Sequence, residues 1–431
     1  MQECINMCKY TKLFLILIFL YLLFSSRAEA EETLTWGACI KEAAKNHPDL
    51  IAAQEIIKQS EASKQQTASG LFPQVTAEAS GSTAQTSSSP GNSSKGDTYG
   101  YGVTGTQLLF DGVKTINNVR AAQQNIVASQ QSFKFTSTTV RYKLRTAFVN
   151  LLTAQEMLRI AEEIFNIRRG NLELIVLRYQ SGLEHKGALL TAEADLADAQ
   201  YGIAQNKRAV QVAQQELTKE MGRKQLTPMY VKGDFKVKDS VSVKPDFEVL
   251  AKNNPSLAQL IAQKNSAEFS LKSAYGNFAP QLTGLAGANK TGDHWTPRGN
   301  QWNLGVNLSL PLFEGGLRTA QIAQARALVN QLKENERSAL DGIILTLQQS
   351  WALLQDAIEN VNVQYLTLIA TEERSKIAQA QYSIGFIAFD NWIIIEDNLV
   401  KAKRNYLDAQ EVALLAEAKW IQAKGEVLEY E

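Results

Sequence analysis

Residues Leu304 to Arg326 read LGVNLSLPLFEGGLRTAQIAQAR, and 203 positions earlier Tyr101 to Gln123 read YGVTGTQLLFDGVKTINNVRAAQ. In both, a period-two alternation crosses a Leu-Phe-acid-Gly turn and runs into a proline-free helical pattern. The same offset lays Tyr179 and Gly182 on Tyr382 and Gly385, and Gly222 on Gly425. Self-similarity at one offset over this length is the mark of an internal duplication.

The alternation is cleanest in the second copy. Trp302, Leu304, Val306, Leu308, Leu310 and Leu312 alternate with Asn303, Gly305, Asn307 and Ser309, which predicts a strand with one apolar face. The first copy keeps Tyr99, Tyr101, Val103 and Leu109 on the matching side. A fainter partner strand precedes each, at Pro73 to Ser82 and at Pro280 to Ala288, so hairpins are expected at about 73–110 and 280–312. Each strand is about ten residues, enough for a tilted strand to cross a bilayer. Between the strands, Ser82 to Asp97 is a Ser/Gly/Asn run and Asn289 to Asn300 reads NKTGDHWTPRGN, and both are expected to be exposed polar loops.

All nine prolines lie at 48, 73, 90, 228, 245, 255, 280, 297 and 311, leaving 91–227 and 312–431 free of them. A proline costs about 3 kcal/mol inside a helix, so both stretches can be helical throughout. Gln180-Ser181-Gly182-Leu183 and Ser383-Ile384-Gly385-Phe386 interrupt them, and glycine is the usual left-handed stop at a helix end. The reading is two antiparallel pairs, about 114–180 with 186–222 and 316–382 with 388–427. Ala147, Ala154, Ala197, Ala204 and Ala357 permit close approach of helices that bury only a stripe each. Shorter helices are expected at about 36–45, 49–70 and 256–277, the last two begun by His47-Pro48 and Asn254-Pro255.

The domain plan that follows is a targeting segment at 1–30, a first repeat at 31–222, an irregular linker at 223–250 and a second repeat at 251–431. Lys9 and Lys12, the apolar run Leu13 to Phe24 and Ala28-Glu29-Ala30 have the order of a secretory signal. The 44 basic and 44 acidic residues balance, and no clustered basic surplus points to nucleic acid. Cys4 and Cys8 would leave with the signal, and Cys39 on an amphipathic helix reads as a small buried hydrophobe.

Four strands cannot close a barrel, and an open sheet edge in hydrocarbon leaves backbone groups unpaired at several kcal/mol each. If the strands enter a membrane, several chains must share one barrel. The alternative left open is a soluble four-stranded sheet capping a coiled coil, as in a secreted structural or adhesive protein.

The turns Leu109-Phe110-Asp111-Gly112 and Leu312-Phe313-Glu314-Gly315-Gly316, the Pro48 and Pro255 helix starts, the Phe72-Pro73 and Ala279-Pro280 strand starts and the Tyr-x-x-Gly tips occur in the order and spacing of a known family. Over about 33–427 the chain resembles the TolC-like outer-membrane efflux proteins. The resemblance implies a mainly α fold with a β-barrel part: long coiled-coil helices forming a periplasmic α-barrel, and four strands per protomer in a shared twelve-stranded barrel. It implies a homotrimer in the outer membrane of a Gram-negative bacterium. That trimer would be a passive duct for a tripartite efflux or type I secretion system, with a periplasmic adaptor and an inner-membrane pump or ABC transporter as partners. Strand-to-helix turns would lie at Phe110, Gly112, Phe313 and Gly315. Adaptor docking would fall on Ser181, Gly182, Leu183, Ile384, Gly385 and Phe386. The family's acidic aperture would fall at Asn391 and Ile394, so the gate is sought at Tyr382, Asp390 and Asn391 instead, although an Asp beside a helix start commonly caps it.

No enzyme is indicated. His47, His185 and His294 lack metal-ligand spacing, and no HExxH, GxSxG, Walker A or dinucleotide fingerprint occurs, so neither a metal nor a cofactor is expected. The pairs Glu162-Glu163 and Glu372-Glu373 read as solvated helix faces, and Trp351 and Trp420 as packing residues.

Overall fold

The computed structural model describes residues 32–88, 92–237 and 243–428; the expected targeting segment lies outside the described residues. The elements are β1 (Glu32–Leu34), α1 (Trp36–Asn46), α2 (Pro48–Ser69), β2 (Gln74–Ser88), β3 (Asn92–Phe110), α3 (Lys114–Gln180), α4 (Lys186–Glu220), β4 (Met229–Val231), α5 (Phe247–Lys252), α6 (Pro255–Gly276), β5 (Gln281–Gly292), β6 (Gly299–Ser309), α7 (Leu317–Ser383) and α8 (Phe389–Lys424). Helices α3 and α7 have 67 residues each, about 100 Å of helix at 1.5 Å per residue. The proline-free stretches therefore form the expected helix pairs, with ends within a few residues of those read from the sequence.

The described residues fall into two compact units. One takes the chain up to Cys39, Ala147–Lys219 and Arg223–Asp234. Here β1 and β4 pair in parallel, Glu32 with Met229 and Leu34 with Val231, which gives part of the irregular linker a structural role. The strand is held by side chains: Gln155 donates to the Val231 carbonyl at 3.0 Å and accepts from its N–H at 2.9 Å, and Gln214 donates to Met229 O at 2.8 Å. Trp36 packs edge-on against buried Phe148, and Cys39 is fully buried, as its sequence context suggests.

The other unit contains Ile40–Thr146, Glu220–Gly222 and Phe235–Glu431. Its helical core gathers Phe247, Ala251, Leu347, Trp351, Leu354, Trp420 and Ala423, with the Trp351 and Trp420 ring centroids 5.1 Å apart. The two expected packing tryptophans thus meet.

The duplication is visible in the joints of this unit. His47 Nδ1 accepts the Asp49 N–H and caps α2, while Asn254 Oδ1 accepts the Ser256 N–H and caps α6. Each cap then reaches the end of a long helix. His47 Nε2 lies 3.5 Å from Glu220 Oε2, and Asn254 Nδ2 donates to the carbonyl of Ala423, the residue that matches Glu220. Gly222 and Gly425, both at positive φ, press against Asn46 and Pro255 in turn.

The sheet has the order β2-β3-β5-β6 and is antiparallel throughout. Its first hairpin is longer than the sequence suggests. Ser82 to Ser88 pair with Asn92 to Thr98, so most of the expected polar loop is strand. The correction has a simple cause: ladder hydrogen bonds join backbones, and a Ser/Gly-rich ribbon needs no apolar face to form them. The second connection is also shorter than expected, since β5 runs to Gly292 and β6 starts at Gly299.

Candidate functional site

Opposed residues in an antiparallel ladder point to the same side, so the register sorts the sheet into two faces. One carries the rows Val75-Gly105-Ala286-Leu304, Ala77-Val103-Ala288-Trp302 and, past them, Gly284-Val306 and Leu282-Leu308. The other carries Gln74-Thr106-Leu285-Gly305, Thr76-Thr104-Gly287-Asn303, Glu78-Gly102-Asn289-Gln301 and Ser80-Gly100-Thr291. The first is mainly apolar, with Gln107 opposite Gly284 and with Lys290 and Asn300 in the row beyond Trp302, and the second is mainly polar apart from Leu285, which is the alternation of a barrel wall between lipid and a wet interior. The apolar side is bare: Trp302 is 81 % exposed and Leu304, Val306 and Leu308 follow it.

Aromatic side chains bracket this stripe. At the far end Trp295 meets Tyr99 and Tyr101 with centroids 6.2 and 6.4 Å apart, and at the helical end Phe72, Phe110, Phe278 and Phe313 each flank one strand, all exposed. From Trp302 to Phe313 an extended chain covers about 35 Å, or near 25 Å after a tilt of about 45°, which is the height of a barrel's apolar band. Among the described residues no helix is long and apolar enough to cross a membrane.

The strand-to-helix turns repeat in detail. Asp111 Oδ2 accepts from Thr115 N–H at 2.8 Å and from its hydroxyl, and Glu314 pairs with Arg318, the residue matching Thr115, at 2.7 Å. Gly112, Gly315 and Gly316 all have positive φ, and Val113 stands at φ 65 where the second copy has Gly316. A side chain in that region costs about 1–2 kcal/mol, so the first turn is the strained one.

Of the two helix tips, the first belongs to the unit containing α4. Gly182 at φ 72 reverses the chain, with Gly182 N–H donating to Tyr179 O and Leu183 N–H to Arg178 O. The next helix is capped by His185 Nδ1, which accepts the Ala188 N–H at 3.1 Å. Ser181 and Leu183 are exposed, and nothing lies within 4 Å of where a Gly182 Cβ would stand.

In the second tip Gly385 at φ 80 makes the same reversal, Phe386 N–H donating to Gln381 O at 2.8 Å. Ile384 and Phe386 are exposed, but Tyr382 is not: it is buried, stacked on Trp392 with centroids 4.3 Å and planes 11° apart. Phe389 completes the cluster, and deeper in the pair Ser375 donates to buried Glu396 at 2.5 Å. Asp390 and Asn391 are exposed in the first turn of α8, so only two of the three expected gate residues are open to solvent in the protomer. Asp390 does not cap the helix. The cap position is Ala388, whose methyl cannot accept a hydrogen bond, and Asp390, two residues on, lies in the first turn at the positive end of the helix dipole. The sequence reading missed Phe389, Trp392 and the Ser375–Glu396 bond; the aromatic i, i+3 spacing of Phe389 and Trp392 just after the tip glycine was the available signal.

The sequence profile of the outer membrane efflux proteins matches residues 39–223 and 248–429. The outer membrane efflux protein BepC of Brucella suis biovar 1 is 22 % identical over 425 residues, covering 94 % of this chain and 84 % of that protein. The outer membrane protein TolC of Salmonella enteritidis is 24 % identical over 115 residues, a match that spans only 23 % of its length. Among solved structures, the Campylobacter jejuni CmeC outer membrane channel superposes with a TM-score of 0.79 at 18 % identity, over 90 % of this chain and 84 % of that one. The Neisseria gonorrhoeae MtrE outer membrane channel does so at 0.78 and 17 %, over 91 % and 89 %. With both repeats matched by the profile, the chain belongs to the outer membrane efflux protein family.

Proposed function

We propose that three copies of this chain form a passive duct through the outer membrane of a Gram-negative bacterium, continued by a long periplasmic extension and serving a tripartite efflux or type I secretion system. The observation that carries the reading is the four-stranded sheet with one apolar face, one polar face and two open edges. Such a sheet is stable in lipid only when its edges are paired. Three copies supply twelve strands, enough for a closed barrel with the polar face inward. The repeats at 31–222 and 251–431 supply the wall, and the substrate would be set by an inner-membrane pump or ABC transporter.

The gate would lie at the second tip. Around a threefold axis, Asp390 of each copy would bring three carboxylates together, which favours cation binding at the entrance. Purified protein in planar bilayers should show a steady single-channel current blocked by divalent cations from the periplasmic side. Asp390→Ala should abolish most of the block while keeping the current. Absence of any current would overturn the duct, and unchanged block would overturn Asp390 as the aperture.

A periplasmic adaptor would dock on the tips, where Leu183 beside Ser181 and Gly182, and separately Ile384 and Phe386 beside Gly385, offer exposed apolar side chains next to left-handed glycines. Burying a Leu or Phe side chain is worth about 1.5–3 kcal/mol, so Leu183→Asp and Phe386→Asp should each weaken adaptor binding at least tenfold and depress export. Trimer yield should not change. Retained export in both variants would remove the tips from the docking surface.

A further inference from the structure

The internal repeat carries information about an edge that the single chain leaves open. In the first hairpin Gln74 opposes Thr106; moving β2 by 207 positions, the shift from Pro73 to Pro280, and β3 by 203, the shift from Tyr101 to Leu304, gives Gln281 opposite Ser309. That is the pairing found in the second hairpin. The two hairpins therefore share one register. They are joined inside the chain by the β3–β5 ladder, whose equivalent in the other direction, β6 against β2, can form only between copies.

We infer that β6 of one copy pairs antiparallel with β2 of the next in the register copied from β3–β5, with Val306 opposite Gly81, Leu308 opposite Ala79 and Leu310 opposite Ala77 of the neighbouring copy. This rests on the homotrimer proposed above and adds to it the residues of the seam. The same shifts turn Val103–Ala288 into Val306–Gly81, Gly105–Ala286 into Leu308–Ala79 and Gln107–Gly284 into Leu310–Ala77. They turn Thr104–Gly287, on the polar face, into Asn307–Ser80.

Three further features of the sheet agree with this pairing. The first is the sidedness. Val306 and Leu308 belong to the apolar face of β6, and Gly81, Ala79 and Ala77 to the apolar face of β2, so each large side chain meets a small one on the same side. A slip of one residue would turn the apolar set of one strand toward the polar set of the other.

The second is that β6 ends early. β3 continues to Phe110 because Leu108 and Phe110 pair with Thr283 and Leu282 across a bulge. β6 stops at Ser309, the match of Thr106, and the next four residues include Leu312 and Phe313, 90 % and 89 % exposed. The copied bulge sets Phe313 opposite Val75, which is itself 71 % exposed on the other edge.

The third is glycine. A Cβ on Gly102 would lie 2.8 Å from both the Ala288 carbonyl oxygen and Asn289 Cβ across the β3–β5 ladder. Its match Gly305 meets nothing closer than Leu285 at 3.5 Å in its own chain. Glycine at 305 as at 102 fits a close neighbour there, and the shift from Asn289 supplies Ser82 of the next copy.

Cysteine pairs on the polar face test this in the full mature protein, whose own Cys39 is buried. Within one chain β3 and β5 stand between β2 and β6, so a bond from 80 to 307 must join two copies. Oxidised Asn307→Cys/Ser80→Cys should run as covalent dimers and trimers on a denaturing gel, forming at least ten times faster than Asn307→Cys/Glu78→Cys or Asn307→Cys/Ser82→Cys. Sizing of the reduced protein in detergent is measured alongside. A trimer in which a shifted pair reacts fastest, or in which no pair reacts, would overturn the register and leave the homotrimer standing. A monomer with no crosslink would overturn both.

Discussion

Gly425→Ala should cost about 2–5 kcal/mol of stability, against about 1–2 kcal/mol for Gly182→Ala. Both glycines hold a left-handed conformation, φ 81 and φ 72, in which any side chain costs about 1–2 kcal/mol. They differ in what surrounds them. A Cβ on Gly425 would stand 2.6 Å from Pro255 Cδ, part of a rigid ring at the start of α6, and one on Gly182 meets nothing within 4 Å. Forced overpacking adds about 1–3 kcal/mol. Chemical denaturation of the two variants in detergent reads the difference directly. Equal losses would mean that the end of α8 and the start of α6 do not approach as described. A Cβ on the matched Gly222, also at positive φ, would strike the Asn46 carbonyl, so the same close approach recurs in the first repeat.

Trp392→Ala is expected to remove about 3–5 kcal/mol and to act on the second tip alone. Trp392 is fully buried and carries the stack with Tyr382 and the edge contact with Phe389. Truncating a buried tryptophan loses both its transfer energy and the packing around the hole left behind. The matched position in the first repeat is Leu189, and Phe389 matches Lys186, so the first tip has no such cluster to lose. Limited proteolysis should therefore cut faster near 381–392 and at an unchanged rate near 178–189. In bilayers the variant should conduct more if Tyr382 helps close the entrance, because freeing its ring loosens the turn that carries Asp390 and Asn391. Equal cutting at the two tips would show that the aromatic stack is not what holds the second turn.

Much of this architecture is legible in the sequence. Helix ends could be read closely because their signals are local: Pro at the first turn after His47 and Asn254, and a left-handed glycine at 182, 385 and 425. The β6 face could be read because lipid and water select opposite residues at alternate positions. The reach of the first hairpin could not. Ser82 to Ser88 and Asn92 to Thr98 are joined by backbone hydrogen bonds, which leave no pattern in side-chain type. The different fates of the two tip tyrosines follow from a difference outside their shared motif: Trp392 stands across the turn from Tyr382, where the first repeat has Leu189.

The sequence by itself determined the duplication, the helix pairs, the turns between them and a sheet with one apolar side, since each depends on contacts or solvent preferences within a few residues of chain. Only the tertiary structure decided which strands are neighbours, in what register, and which glycines are crowded. The crowding and the central β3–β5 pairing depend on groups far apart in the chain, such as Gly112 and Ala279 or Tyr99 and Gly292. Gly112 and Gly315 are alike in sequence, yet one abuts Ala279 and the other faces open space, because the end of α6 packs beside the first turn and nothing among the described residues packs beside the second.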